Sequence, residues 1–100
     1  MREPVIFFRV HASQQMSIRG ISEVDVRTVL EDGEPIEEYP DDLPFPAQLM
    51  LGWVRLGTVR VPIHVVVSFD DEANTMYVVT VYQPTTADWK PGFRVRKRNS

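Results

Sequence analysis

Two long runs of β-branched residues constrain the fold more than any other feature of this sequence. VRVPIHVVVSF spans residues 59–69 and TMYVVTVY spans residues 75–82, with the turn sequence DDEAN between them. Runs of this type are typical of β-strands, and strands joined by a short turn pair antiparallel. Every odd position of the first run is apolar, which predicts one core-facing side, whereas the even positions include Arg60, His64 and Ser68. Which residues of the second strand share the side of His64 stays open.

The N-terminal part of the chain predicts one further strand and two helices. Val5 to Val10 has the composition of a buried strand, and His11, Gln15 and Arg19 then follow at the spacing of one helical stripe, beside a core-facing stripe of Ala12 and Met16. Gly20 ends this first helix. A second helix is predicted from Ser22, which forms a capping box with Asp25, to Gly33.

Strands are predicted again after the second helix, at residues 34–39 and 47–55, with a short last strand at 93–97. Up to residue 82 the predicted order is β-α-α-β-β-β-β. We expect an α+β fold in which an N-terminal strand and an αα-hairpin pack on an antiparallel sheet of four to five strands. A chain of 100 residues has the size of a single domain, so we assign residues 1–100 to one domain.

Composition excludes several classes of protein. The chain is 43% hydrophobic and 25% charged, which is typical of a globular domain, and it contains no cysteine for disulfides or thiolate metal sites. No apolar run reaches the roughly 18 residues of a membrane span, and no basic segment followed by an apolar one resembles a secretion signal. We therefore expect a cytoplasmic location, no membrane association and no bound cofactor.

The net charge of −3 conceals an uneven distribution of charge. Residues 31–42 contain seven acidic side chains and no basic one, which favours a solvated acidic surface. The sequence FRVRKR at residues 93–98 alternates basic and apolar residues, as an edge strand with one cationic side would. Two interpretations of this basic strip stay open. It either protects an exposed sheet edge from aggregation, or binds phosphate or an acidic partner through Arg94, Arg96 and Lys97.

Two histidines, several arginines and a tyrosine form the set of side chains that metal-free RNA cleavage requires. One imidazole can accept the proton of a ribose 2′-hydroxyl, a second acid can protonate the leaving oxygen, and arginine stabilises the charge on the phosphate. Each histidine also has a structural interpretation: His11 as a helix-start residue, and His64 as a half-buried strand residue. Metal-dependent hydrolysis using His11, His64 and Asp41 or Asp42 is the least supported alternative, because these residues lack a recognised ligand spacing.

An ordered series of motifs resembles the domain-of-unknown-function family DUF4258. It runs from about Phe7 to Lys97 and comprises HASQQMSIRGISEVDVRTVLEDGEPIEEYPDD, PFPAQLMLGW, PIHVVVSFDDEANTMYVVTVYQP, and a tryptophan followed by FRVRK. Gln15 stands where the family usually has arginine. Residues that match the family pattern at the first helix are His11, Ala12, Met16, Arg19, Gly20, Ile21 and Ser22.

The resemblance carries expectations about fold and function. It implies the RelE-like fold of small ribonucleases, a toxin-antitoxin context with RNA as the substrate, and a zinc-finger antitoxin-type protein as the partner. It also implies that His11 and His64 act as acid and base beside Tyr82, with the arginines as phosphate ligands. A non-catalytic protein-interaction domain is the alternative, because ribosome- and RNA-directed toxins are commonly basic and this chain is acidic. Residues expected on one surface are His11, Arg19, His64, Tyr82, Arg94 and Arg96.

Overall fold

The two β-branched runs form neighbouring central strands of a five-stranded sheet in the computed structural model, which describes residues 2–98. Their pairing is antiparallel, as predicted. Two helices precede all but one of the strands, so the fold is α+β with the predicted order of elements. The elements are β1 (Val5–Phe8), α1 (Val10–Arg19), α2 (Glu23–Asp32), β2 (Glu34–Tyr39), β3 (Ala47–Leu56), β4 (Val59–Asp70) and β5 (Thr75–Tyr82).

The strands lie in the spatial order β1-β5-β4-β3-β2. The last four strands along the chain form an antiparallel meander, but β1 runs parallel to β5, with Val5 opposite Thr75. The sheet is therefore mixed: the predicted antiparallel sheet is present as four strands, and β1 adds a fifth strand that is parallel. β1 is also an edge strand with Val5 and Phe7 each 54% exposed, so the expectation that it is buried was wrong.

Both helices pack on the same face of the sheet. α1 lies against β5 through the buried residues Ala12 and Met16, and α2 lies against β3 and β4 through Val26 and Val29. The predicted capping box at Ser22 is present: its hydroxyl accepts a hydrogen bond from the Asp25 backbone N–H. The main hydrophobic core lies between these helices and the sheet.

Gly52 allows α2 to approach β3 closely. A Cβ atom at this position would lie 2.7 Å from Cγ2 of Val29 and 3.0 Å from its Cβ, well inside van der Waals contact. The interruption of the strand pattern at Gly52 therefore marks a place where α2 packs closely on β3.

Residues 83–98 form an irregular segment, which we call the tail. The predicted strand at 93–97 is replaced by a single bridge between Trp89 and Arg96. Because Trp89 and Phe93 contact residues of β3 and β4, the tail lies on the face of the sheet opposite the helices. Within residues 2–98, none of the helices has the length and apolarity to cross a membrane.

Candidate functional site

His64 and Tyr82 lie side by side on the face opposite the helices, which we call the helix-free face. The neighbours of His64 in β4, Ile63 and Val65, belong to the core beneath the helices, so His64 points the other way. Tyr82 is its direct cross-strand partner in β5. Tyr82 is therefore a β5 residue that shares the side of His64.

Both ring nitrogens of His64 are hydrogen-bonded, and the side chain is fully buried. Nε2 lies 2.9 Å from the carbonyl oxygen of Phe93, and Nδ1 lies 3.0 Å from the hydroxyl of Tyr82. A carbonyl can only accept, so Nε2 carries the proton. In the neutral ring Nδ1 is then an acceptor, and the Tyr82 hydroxyl donates to it.

Burial keeps this pair in its neutral form. Loss of hydration lowers the pKa of His64, the Phe93 carbonyl opposes that change, and the nearby Arg96 charge lowers the pKa further. Burial also raises the pKa of Tyr82, so its hydroxyl keeps its proton. The ring of Trp89 packs edge-on against His64 with 4.4 Å between the ring centroids and closes the site from the tail side.

Two ion pairs fasten the tail to β2. Arg94 pairs with Glu34, and Arg96 contacts Glu37 through two nitrogens, at 2.8 Å from Nε to Oε2 and 3.1 Å from Nη2 to Oε1. Some residues of the acidic stretch thus form ion pairs with residues of the basic strip. Sequence reasoning treated them separately and missed this contact.

A β-bulge puts both glutamates on the same side of the sheet. Glu34 is opposite Leu51 and Glu37 is opposite Leu49, with Ile36 as the extra residue between them. In a regular strand, residues three apart would face opposite sides. The bulge therefore brings Glu37 to the helix-free face, beside the tail.

Glu37 is also the centre of a small polar cluster. It accepts hydrogen bonds from Arg96 and from the Tyr39 hydroxyl, and the Arg96 hydrogen bond is the main cause that lowers the pKa of Glu37. The guanidinium of Arg96 lies 4.6 Å from the centroid of the Trp89 ring, in a cation–π contact. The cluster therefore combines an ionised carboxylate, a fixed cation and a tyrosine hydroxyl.

A cavity of about 520 Å³, which we call the tail cavity, opens beside this cluster. Its lining provides a carboxylate, a tyrosine hydroxyl and two cationic side chains. Such a lining suits a polar, anionic ligand more than an apolar one. Its lining residues are Tyr82, Asp88, Trp89, Arg96 and Lys97.

The structure brings together some of the predicted site residues and separates others. Tyr82, Arg96 and Lys97 line the tail cavity, and His64 lies behind Tyr82. Arg94 lines a different cavity, of about 290 Å³, next to Trp53 and Arg60.

His11 and Arg19 lie apart from that group. Both are exposed on α1, which packs on the other face of the sheet. The expectation that all six residues line one surface is therefore corrected: the sheet separates His11 from the buried His64, so the two imidazoles do not face one phosphate.

Gln15 has a structural role at the position where the family usually has arginine. Its Oε1 atom accepts a hydrogen bond of 3.0 Å from the backbone N–H of Val81. β1 pairs with β5 only as far as Val78. Beyond that point the Gln15 side chain of α1, and not a residue of β1, is the hydrogen-bond partner of the Val81 N–H. Arginine has no acceptor atom and cannot make this bond.

Metal-ligating side chains are dispersed in the part of the chain that the structure describes. Within residues 2–98, no three histidine or carboxylate side chains are close enough together to hold one metal ion. Asp41 and Asp42 therefore form no such group with either histidine.

Comparison with known proteins assigns the chain to a family. The model of the family described as domain of unknown function (DUF4258) matches residues 8–83, which includes β4, β5 and both helices. The match ends at the first residue of the tail, so it covers less than the predicted resemblance, and it leaves the RelE-like relationship a prediction. No curated protein and no solved structure matches the chain significantly. Because the matched region spans most of the chain, this protein belongs to the DUF4258 family.

Proposed function

We propose that this protein is a metal-independent endoribonuclease that works in the tail cavity. One observation supports this most: the half-buried Tyr82 and the cation Arg96 line the same polar cavity on the helix-free face, and the ionised Glu37 carboxylate holds Arg96 in place. These are groups that can take a proton from a ribose hydroxyl and balance the charge on a phosphate.

In the proposed reaction the general base is Glu37 and not one of the two histidines expected from the sequence. The Glu37 carboxylate removes the proton of the ribose 2′-hydroxyl, the 2′-oxygen bonds to phosphorus, and the bond from phosphorus to the 5′-oxygen breaks. The Lys97 ammonium protonates the departing 5′-oxygen, and Arg96 holds the non-bridging phosphate oxygens. The products are a 2′,3′-cyclic phosphate and a 5′-hydroxyl.

Tyr82 and His64 orient the bound nucleotide in this proposal. Because the Tyr82 proton points at Nδ1 of His64, the lone pairs of its oxygen are available to accept a hydrogen bond from an O–H or N–H of the nucleotide other than the 2′-hydroxyl, whose single proton goes to Glu37. His64 touches no substrate and is a positioning residue. Its burial argues against the acid or base role that the sequence suggested.

A non-catalytic protein-interaction domain is the second candidate, and a separate observation favours it. Arg94 and Arg96 of the tail are each engaged by a glutamate, and the net charge of −3 opposes nonspecific attraction to RNA. In either case we place the protein in the cytoplasm and propose a zinc-finger antitoxin-type protein as its partner. Such a partner would cover the tail cavity.

The test is RNA cleavage by the purified protein in the presence of EDTA, with the end groups of the products analysed. We expect the wild type to cleave and to leave 2′,3′-cyclic phosphates. Glu37→Gln and Arg96→Gln should each lower the rate at least a hundredfold. The matched controls, Glu34→Gln and Arg94→Gln, change the other tail ion pair and should stay within about threefold of the wild type.

The outcomes separate the candidates. Folded wild-type protein that leaves RNA intact would overturn the ribonuclease proposal and favour the interaction domain. Cleavage that stops with EDTA and returns with a divalent cation would transfer the activity to a metal-dependent mechanism. Equal losses in both pairs of variants would mean that the tail, not the Glu37 site, controls activity.

A further inference from the structure

A second group of planar side chains lies on the helix-free face, away from the tail cavity. The ring of Tyr77 in β5 is stacked with Phe7 of β1 and with Phe45 of the loop before β3, with 5.8 Å between centroids in both cases. The guanidinium of Arg9 lies 4.6 Å from the centroid of Tyr77. We call Phe7, Arg9, Phe45 and Tyr77 the aromatic platform.

The platform is open to solvent, unlike the aromatic residues around His64. Phe7 is 54% exposed, and Arg9 is exposed as well. Within residues 2–98 Arg9 takes part in no ion pair, in contrast to Arg94 and Arg96. The Arg9 guanidinium lies against an aromatic ring of the platform, and no carboxylate of the described residues engages it. Another planar group can therefore stack on this surface.

A small cavity of about 190 Å³ adjoins the platform, and its lining argues for a base over a phosphate. Arg9 and Phe45 line it together with Asp42 and the 92% exposed Leu43. The Asp42 carboxylate repels a phosphate, but it can accept a hydrogen bond from the amino group of a nucleobase. Leu43 offers apolar contact for a sugar or base.

The platform and the tail cavity lie along the same strand pair. Tyr77 is opposite Ser68 and Tyr82 is opposite His64, so the two sites are four residues of β4 apart, or about 14 Å at strand spacing. Thr80 and Val66, between them on the same face, are only half-buried. An extended single strand of a few nucleotides can cover this distance.

We propose that the aromatic platform binds a nucleobase of single-stranded RNA a few nucleotides from the bond that is cleaved in the tail cavity. This inference depends on the proposed function for its substrate, and it adds the requirement that the RNA be single-stranded and longer than a dinucleotide. A duplex keeps its bases stacked on each other and cannot present one to the platform.

The experiment compares a dinucleotide with a six-nucleotide single-stranded RNA. Binding is measured by fluorescence anisotropy, and cleavage by kcat/KM, both in EDTA. Arg9→Gln removes the positive charge and the planar guanidinium, whereas Arg9→Lys keeps the positive charge and removes the guanidinium. Arg27→Gln, which removes an exposed arginine of α2 on the other face of the sheet, is the control. The wild type should prefer the six-nucleotide RNA to the dinucleotide and to a duplex.

We expect Arg9→Gln and Arg9→Lys to lose about tenfold in affinity and in kcat/KM for the six-nucleotide RNA. Neither should change dinucleotide cleavage, and Arg27→Gln should match the wild type throughout. Equal behaviour of all three variants would overturn the platform, as would a fully active Arg9→Lys, which would reduce the effect to charge alone. Competition by a poly-glutamate peptide at the same site would identify a protein ligand instead and also overturn it.

Failure of the platform can be distinguished from failure of the proposed ribonuclease. If no RNA is cleaved but single-stranded RNA binds in an Arg9-dependent way, the platform stands and the catalytic proposal falls. If RNA is cleaved with no dependence on Arg9 or on length, the catalytic proposal stands alone.

Discussion

The carbonyl oxygen of Phe93 accepts a hydrogen bond from Nε2 of His64, 29 residues earlier in the chain. Through this bond a buried side chain of a central strand holds the tail on the sheet. The same bond fixes the tautomer of His64, and with it the direction of the Tyr82 hydroxyl. Structural support of the tail and orientation of the candidate site thus depend on one imidazole.

Replacing His64 with phenylalanine should destabilise the fold markedly. The Phe93 carbonyl and the Tyr82 hydroxyl would both lose their partner in a buried place, so we expect a loss of about 2 to 4 kcal/mol in the free energy of unfolding. Urea denaturation followed by tryptophan fluorescence measures it, since Trp89 contacts His64. Tyr82→Phe should cost less, about 1 to 2 kcal/mol. An unchanged urea midpoint for His64→Phe would contradict the hydrogen-bond assignment.

Stability should fall as the pH drops below the ordinary pKa of histidine. The folded-state pKa of His64 is lowered by burial, so between that value and about 6.5 the unfolded chain binds a proton that the folded chain does not. The contribution is complete above about pH 6.5 and is lost as the pH falls toward the lowered value. Glu37, whose pKa is also lowered, adds a loss of the same sign below about pH 4.5.

Free energies of unfolding measured between pH 7.5 and 5 test the His64 contribution. His11→Gln, which removes the exposed histidine, should keep the slope, and His64→Gln should flatten it. The assignment is wrong if His64→Gln shows the slope of the wild type.

The two tail ion pairs should contribute unequally to stability. Arg96 binds Glu37 through two nitrogens, and the Glu37 side chain is only 24% exposed, whereas Arg94 and Glu34 are 58% and 46% exposed. We expect coupling free energies of about 1 kcal/mol for the first pair and less than about 0.5 kcal/mol for the second. Double-mutant cycles with alanine in urea measure both values. Equal couplings, or a larger value for Arg94 and Glu34, would contradict the difference in solvent screening.

Gln15→Arg should destabilise the protein although arginine is the usual family residue at this position. The substitution removes the acceptor for the N–H of Val81, which is buried, and we expect a loss of about 1 to 2 kcal/mol. Gln14→Arg, at the exposed neighbouring position of the same helix, is the control and should change stability by less than about 0.5 kcal/mol. The measurement is the thermal midpoint of each variant, and similar midpoints would refute the role of Gln15.

Features encoded by local periodicity could be predicted from the sequence. The alternation in β4 correctly separated Ile63 and Val65 from His64, and the Ser22 and Asp25 spacing correctly predicted a capping box. In both cases the signal lies within a few residues, so no knowledge of distant contacts is needed.

The candidate site depends on features that local patterns do not contain. The bulges at Ile36 and Val79 each shift the alternation by one residue, which hides the shared face of Glu34 and Glu37 and that of Tyr77 and Tyr82. The tail has no strand or helix period, and its position is determined by His64, Glu34 and Glu37, far away in the sequence. Glu37 was therefore missed as a site residue, and His11 was assigned to a surface it does not share.

Because β1 pairs with β5, this edge of the sheet cannot form until β5 has been synthesised. Val5 pairs with Thr75, 70 residues later, so β1 leaves the ribosome long before its partner exists. The nascent chain must carry an unpaired β-strand until residues 75–78 emerge, and the tail that covers His64 follows only after them. A chain stalled before β5 would thus expose the apolar strand VIFF without its partner, and an unpaired strand of this kind promotes aggregation.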